Sequence, residues 1–205
     1  AGSRLVSYYE PLHSFQNKIE CSFNQAASEI KSLLSRAAEL HSKSDVPLGV
    51  FLSGGLDSST IAYYAKRAGK DINTFSIGFD DASFDESKFA RVAAEHIGTN
   101  HHEAVMRERD ALALVSQIPE VFSEPVADAS VIPTLFLSRF ARQSVTVALG
   151  GDGGDELFAG YPTFQADSLF AMYRNIPRPG RNLVARAAES LPASHARFAF
   201  SYYLE

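Results

Sequence analysis

The sequence predicts an α/β fold: a parallel sheet with helices on both faces, followed by an incomplete helical region. Three observations carry this reading. Short apolar runs alternate with stretches of helical period. The runs are continuously apolar, as strands covered on both faces are, rather than alternating. Two of them end in glycine-rich turns, the usual exit of a strand toward a helix. A length of 205 residues suits one ordinary domain, or one domain with an added arm. The 45% hydrophobic, 21% charged balance excludes a disordered, collagenous or coiled-coil chain.

Residues 1–21 have no clear period and read as a linker or arm. The domain proper is expected over 22–165, with 166–205 opening a truncated helical region. From Phe23 to His41, Ala26, Ala27, Ile30, Leu33, Leu34, Ala37 and Leu40 recur at three and four, the spacing of one helix face. Val46 to Leu52 is a buried-strand candidate ending in Ser-Gly-Gly, and a helix from Asp57 to Ala68 follows, closed by Gly69. Ile72 to Ile77 reads as a second strand. Ser83 and Glu86 then form a capping-box pattern ahead of Phe89, Val92, Ala93, His96 and Ile97, with Gly98 as the stop. His102 to Met106 reads as a third strand, Asp110 to Ile118 and Ile132 to Gln143 as helices, and Val145 to Leu149 as a fourth strand. In such sheets ligands sit beyond the carboxyl ends of the strands, so the turns after the first, second and fourth runs are the places to search.

Charge and composition narrow the function. Nineteen basic against 24 acidic residues leave a net charge of −5, and the basic residues are scattered, which argues against nucleic acid. No stretch approaches the ~18 apolar residues of a membrane helix, and no signal peptide is evident. A cytoplasmic setting with no membrane partner is expected. Cys21 is the one cysteine, cannot form an internal disulfide, and is expected to be a half-buried small residue. The chain opens without Met and ends without a cap, and is expected to be a piece of a longer protein.

The turn after the first strand is Ser53-Gly54-Gly55-Leu56-Asp57-Ser58-Ser59. Free N–H groups at a helix start favour an anion, the glycines allow close approach, and the three serine hydroxyls add donors. A phosphate group fits. No lysine follows, so this is not the GxxxxGK[ST] loop, and adjacent glycines with Asp57 do not make a dinucleotide fingerprint. A hydrolase elbow would need glycine two positions before Ser53, where Phe51 stands.

The turn after the fourth strand gathers Gly150, Gly151, Asp152, Gly153, Gly154, Asp155 and Glu156. Four glycines with three carboxylates exceed what a plain turn needs. Carboxylates beside a polyphosphate repel it unless a cation intervenes, and Mg²⁺ takes one or two carboxylates plus phosphate oxygens. Asp57 and Asp155 are the expected metal pair. His101 and His102 are adjacent on a strand and so point to opposite faces, which favours a structural role over joint ligation. Glu124 to Asp128 is a turn whose carboxylates either line an acceptor site or are simply solvated.

SGGLDSS resembles the SGGxDS pyrophosphate loop of the PP-loop ATP pyrophosphatases, of the adenine nucleotide alpha-hydrolase-like fold. Taken with FSIGF, GTNHHE, EPVADASVIP and GGDGGDELFAGY in that order, the chain is similar over about residues 45–165 to the synthetase domain of the glutamine-hydrolysing asparagine synthetases. The resemblance implies cleavage of ATP between its α and β phosphates, with ATP and Mg²⁺ bound. Leu52 and Ile77 would hold adenine and ribose, Gly150 and Gly151 would contact the nucleotide, and Asp152 would serve aspartyl adenylate formation. Many family members carry Ser at the position of Gly150 and Glu at that of Asp152. The resemblance further implies aspartate, ATP and ammonia as partners, the ammonia released from glutamine by an N-terminal glutaminase domain that is expected to be absent here. It also implies C-terminal basic residues, which nothing after Tyr161 clearly supplies, so the piece is expected to bind ATP weakly and not to make asparagine unaided. The oligomeric state stays open, with a homodimer of the parent protein as one arrangement. Two alternatives stand beside this: a ligase adenylating another acid, β-lactam-forming or peptide-cyclising, and a non-catalytic nucleotide-binding module.

Overall fold

The computed structural model describes residues 4–181 apart from 70 and 82. The chain divides after Gly150 into two compact units, 1–150 and 151–205. In the first unit the described part of the arm is irregular except for α1 (Pro11–Gln16), and Cys21 at its end is exposed rather than half-buried, because among the described residues nothing in the arm forms a core around it. Helix α2 (Phe23–His41) begins at Ser22, whose hydroxyl accepts from Gln25 N while the Gln25 side chain accepts from Ser22 N, a closed capping box.

There follow β1 (Leu48–Phe51), α3 (Leu56–Arg67), β2 (Asn73–Phe79), α4 (Ser87–Ile97), β3 (Asn100–Met106), α5 (Glu108–Val115), α6 (Ile118–Val121), α7 (Val131–Arg142) and β4 (Val147–Leu149). Gly98 ends α4 in the left-handed conformation, as its place after Ile97 suggested. The capping box expected from Ser83 and Glu86 does not form. Asp81 holds Ser83 in its own turn, and the start of α4 is capped by Asp85, which accepts from the amide and hydroxyl of Ser87, both at 3.1 Å. An aspartate two residues ahead of a free amide competes better than a serine four residues away.

The strands form one parallel sheet in the order β3-β2-β1-β4. Its two faces carry separate cores. On one, Leu48, Val50 and Leu52 pack with Ala62 and Ala65 of α3 and Ala90 and Ala94 of α4. On the other, Phe75 packs with Ala141, Leu137 and Phe140 of α7, beside Phe51 and Val145. Small alanines on the helices let them approach the strands closely. Val50 and Leu52 are essentially inaccessible, and each contributes roughly 1.5–3 kcal/mol by burial. Because β2 lies on one side of β1 and β4 on the other, the direction of winding reverses at β1, which is where such sheets open a crevice at their carboxyl ends.

The adjacent histidines of β3 do separate. His101 bridges Thr74 Oγ1 (3.0 Å) and Ser76 Oγ (3.1 Å) on the α4 face, and Thr74 also meets Thr99 Oγ1 at 2.8 Å. His102 stacks on Phe75 and meets Asn73 Oδ1 at 2.9 Å on the other. Burial holds His101 below the usual histidine range. Glu103 opposes the shift, and His102 and Arg91 reinforce it. A histidine whose pKa is depressed on folding stabilises the fold above its unfolded value, and that stability is lost as pH falls from 6.5 toward the folded value. Thermal melts between pH 7.5 and 5.5 should therefore show a fall in Tm that is smaller in His101→Gln. An equal fall in both proteins would refute this.

Candidate functional site: the turns after β1 and β4

The β1 turn is built by its own side chains. Gly54 has φ +84°, and a Cβ on it would run into the backbone of Phe89 and Ala90 in the first turn of α4. Glycine is thus needed here twice over, for its left-handed backbone and for the contact with α4. Ser58 is turned inward: its hydroxyl accepts from Ser53 N (3.2 Å), pairs with Ser53 Oγ (3.0 Å) and reaches Gly55 O (3.4 Å), while Ser53 Oγ accepts from Gly55 N (3.2 Å). The Ser59 hydroxyl is buried without a hydrogen-bond partner. The three serines that the sequence offers as ligand donors therefore brace the turn or lie beneath it.

The backbone of the helix start is left without a side-chain cap. Gly55 caps α3 with no side-chain help, and the first helical bond runs from Ser59 N to Gly55 O at 3.1 Å. That leaves the amides of Leu56, Asp57 and Ser58 at the open, positive end of a 12-residue helix. Asp57 lies in this first turn, half-buried, and no described residue donates to its carboxylate. Leu52 is 1% exposed and gives its amide to Phe75 O (2.9 Å), so only its carbonyl is left for a ligand. Ile77 lies on β2, half-buried, opposite Ala104 of β3.

The β4 turn begins in the first unit with Gly150, half-buried directly after Leu149. β1 and β4 are hydrogen-bonded neighbours, so Ser53 and Gly150 leave the same edge of the sheet. In the second unit, Asp152 is exposed and Gly151 half-buried. Gly153, with φ +88°, caps α8 (Gly154–Phe158), whose first turn carries Asp155 and Glu156; α9 (Pro162–Arg174) follows. No described residue donates to the Asp155 carboxylate. Glu156 accepts from the Tyr161 hydroxyl at 2.7 Å, which holds its carboxyl below the usual range. Among the described residues no three His, Cys, Asp or Glu side chains cluster as a metal cage.

The turn from Glu124 to Asp128 is exposed, and Asp128 accepts from Ser130 N at 2.8 Å, steadying the entry to α7. Among the described residues no helix is long and apolar enough to cross a membrane.

A parallel sheet whose winding reverses at a strand followed by a helix start without a side-chain cap defines an open α/β domain. Comparison with known proteins narrows the class: the asparagine synthase family matches residues 29–203, and the chain belongs to that family. It is 37% identical over 172 residues to a putative glutamine-hydrolysing asparagine synthetase 2 of Methanocaldococcus jannaschii, covering 83% of this chain and 32% of that protein. It is 31% identical over 184 residues to glutamine-hydrolysing asparagine synthetase 1 of Bacillus subtilis, covering 90% of this chain and 28% of the other. The chain thus spans about a third of the length of these relatives. Among solved structures, the NMN synthetase of Francisella tularensis superposes with a TM-score of 0.46 at 19% identity, over 69% of this chain and 59% of that one.

Sequence reasoning missed the dependence of Gly54 on Phe89 and Ala90, because the contact partners lie 35 positions away and nothing local marks them. Gly54→Ala should lower unfolding stability in urea by about 2 kcal/mol or more, the left-handed backbone alone costing ~1–2. Ser58→Ala should cost about 1–2 kcal/mol through lost turn hydrogen bonds. Wild-type stability in either variant would show that the turn is not held as described.

Proposed function

We propose that this chain is the ATP-binding synthetase part of an ATP-dependent carbon–nitrogen ligase, which adenylates aspartate for conversion by ammonia to asparagine. The observation that carries the reading is the bare N-terminus of α3, with Asp57 in its first turn, at the carboxyl end of the strand where the winding reverses. Family membership and the order of the two glycine turns support it.

In this reading, the amides of residues 56–58 bind the β and γ phosphates, Leu52 and Ile77 flank the nucleoside, and Gly150 and Gly151 contact the nucleotide. Asp57 and Asp155 would hold Mg²⁺, which supplies charge neutralisation for the departing pyrophosphate. An oxygen of the aspartate side chain attacks the α-phosphorus and the bond to the β-phosphate oxygen breaks. Asp152 stands at the adenylating centre. Ammonia then adds to the acyl carbon, AMP leaves, and a proton is lost. The protein's part is mainly placement and fixed charge. Ammonia would come from glutamine on a glutaminase domain of the parent protein.

Gly150 and Asp152, where the resemblance implies Ser and Glu, favour one second reading: the same adenylation applied to another carboxylic acid. ATP–pyrophosphate exchange by the intact parent chain, with aspartate and a panel of other acids, decides. Aspartate-dependent exchange is expected. Exchange only with another acid selects the second reading, and no exchange with any acid leaves a nucleotide-binding module. Asp57→Asn and Asp155→Asn should each reduce exchange by on the order of 100-fold, while far-UV circular dichroism stays unchanged.

A further inference from the structure

The segment 155–161 of the second unit treats two neighbouring carboxylates differently. Tyr161 donates its hydroxyl to Glu156 Oε1 at 2.7 Å, so that carboxylate is engaged within the segment. Asp155 has no such donor among the described residues. Its placement is set by what Gly160 lacks. Gly160 N donates to Asp155 O at 2.9 Å, closing the turn after left-handed Ala159. The backbone of Gly160 lies outside the left-handed region, so its conformation is open to any residue. A Cβ at Gly160, however, would overlap Asp155 Oδ1 and stand 3.0 Å from its Cγ. Gly153, a few residues earlier, shows the opposite case, with φ +88° and open space where its Cβ would be. One glycine is there for its backbone and the other for the carboxylate lying over it.

We propose that Gly160 and Tyr161 are positioning residues for the divalent cation: the bare Cα of Gly160 fixes the side-chain orientation of Asp155, and Tyr161 ties Glu156 back, so that a single carboxylate is presented. The inference rests on the reading of Asp155 as a metal ligand given above. Two adjacent free carboxylates would compete for one ion and repel each other. Tying one to a phenol removes the competition. An alanine at 160 would force Asp155 into another rotamer without touching its chemistry.

The test uses the intact parent chain with Mn²⁺ as the probe cation, bound ion being counted by its EPR signal in the presence of pyrophosphate. Gly160→Ala is expected to weaken Mn²⁺ binding by about 10- to 100-fold, the usual effect of removing support from a ligating side chain. AMP binding without cation, measured by equilibrium dialysis, should stay within about twofold. Tyr161→Phe is expected to weaken Mn²⁺ binding in the same assay and Glu156→Gln in the Phe background to restore it, because the competing charge is then gone. A thermal-melt cycle guards against a variant that merely folds poorly. The Tm loss caused by Gly160→Ala should shrink by more than half in an Asp155→Ala background, where the obstructing carboxylate is absent. Wild-type Mn²⁺ affinity in Gly160→Ala, or an equal Tm loss in both backgrounds, overturns the proposal alone. Failure of the wild-type chain to bind Mn²⁺ overturns the reading of Asp155 as a ligand, and the proposal with it.

Discussion

Phe75 and Gly49 meet at the centre of the sheet, and the placing of both edges depends on that contact. A Cβ on Gly49 would stand 2.7 Å from Phe75 Cε2, so β1 has no side chain there and the ring of β2 takes the space. Phe75 in turn stacks on His102 of β3, with centroids 5.0 Å apart, and meets Phe140 of α7 edge-on at 5.8 Å. One side chain thereby joins three strands and the helix that covers them. The register between β1 and β2 follows from this fit, and with it the height at which β1 ends and its turn begins. A shift by one residue would put Val50 in place of Gly49 beneath the ring and turn the buried valine out of its own core.

From that fixed strand end, the proposed anion site follows from geometry more than from side-chain chemistry. A parallel strand that ends against a helix start leaves backbone N–H groups without partners, and the helix dipole adds to their pull on negative charge. The glycines of the two turns serve different needs. Gly54 supplies a left-handed backbone and lets the turn rest on the first turn of α4; Gly153 supplies the left-handed backbone alone; Gly160 leaves space for a carboxylate. Counting glycines therefore says that a turn is built for something, and only their surroundings say for what.

Much of the fold was legible because the apolar runs are short, continuous and separated by helical periods. Phe23 to His41 is helical as read, and the four strands fall where the runs do, with ends moved by up to two residues. The separation of His101 from His102 follows from the two-residue period of a strand, which no tertiary context alters. The capping of α4 was misassigned because Ser83 and Glu86 match a spacing rule that Asp81 and Asp85 satisfy with shorter reach. The inward turn of Ser58 was not legible: a hydroxyl donates equally well to a ligand or to its own turn, and only coordinates distinguish the two. The Gly160 contact was hidden for a related reason, since glycine after a helix usually signals a left-handed cap, and here Ala159 takes that conformation instead.

The self-satisfied β1 turn bears on how such a site could release its product. The amides of Ser53 and Gly55 already have hydroxyl partners, so an arriving phosphate would exchange bonds at those two positions and make new ones at residues 56–58. A neutral hydrogen bond is worth a net ~0.5–1.5 kcal/mol and a charge-assisted one about twice that. Exchange at two positions thus gains little. Under the proposed function most of the affinity would come from the helix start and from a cation shared with the ligand, both of which weaken when the ligand's charge is neutralised or the cation leaves. Under the proposed function, a turn that closes on itself without its ligand would hold pyrophosphate firmly only while the cation stays. That is the behaviour required of a site whose leaving group must be stabilised in the reaction and then let go.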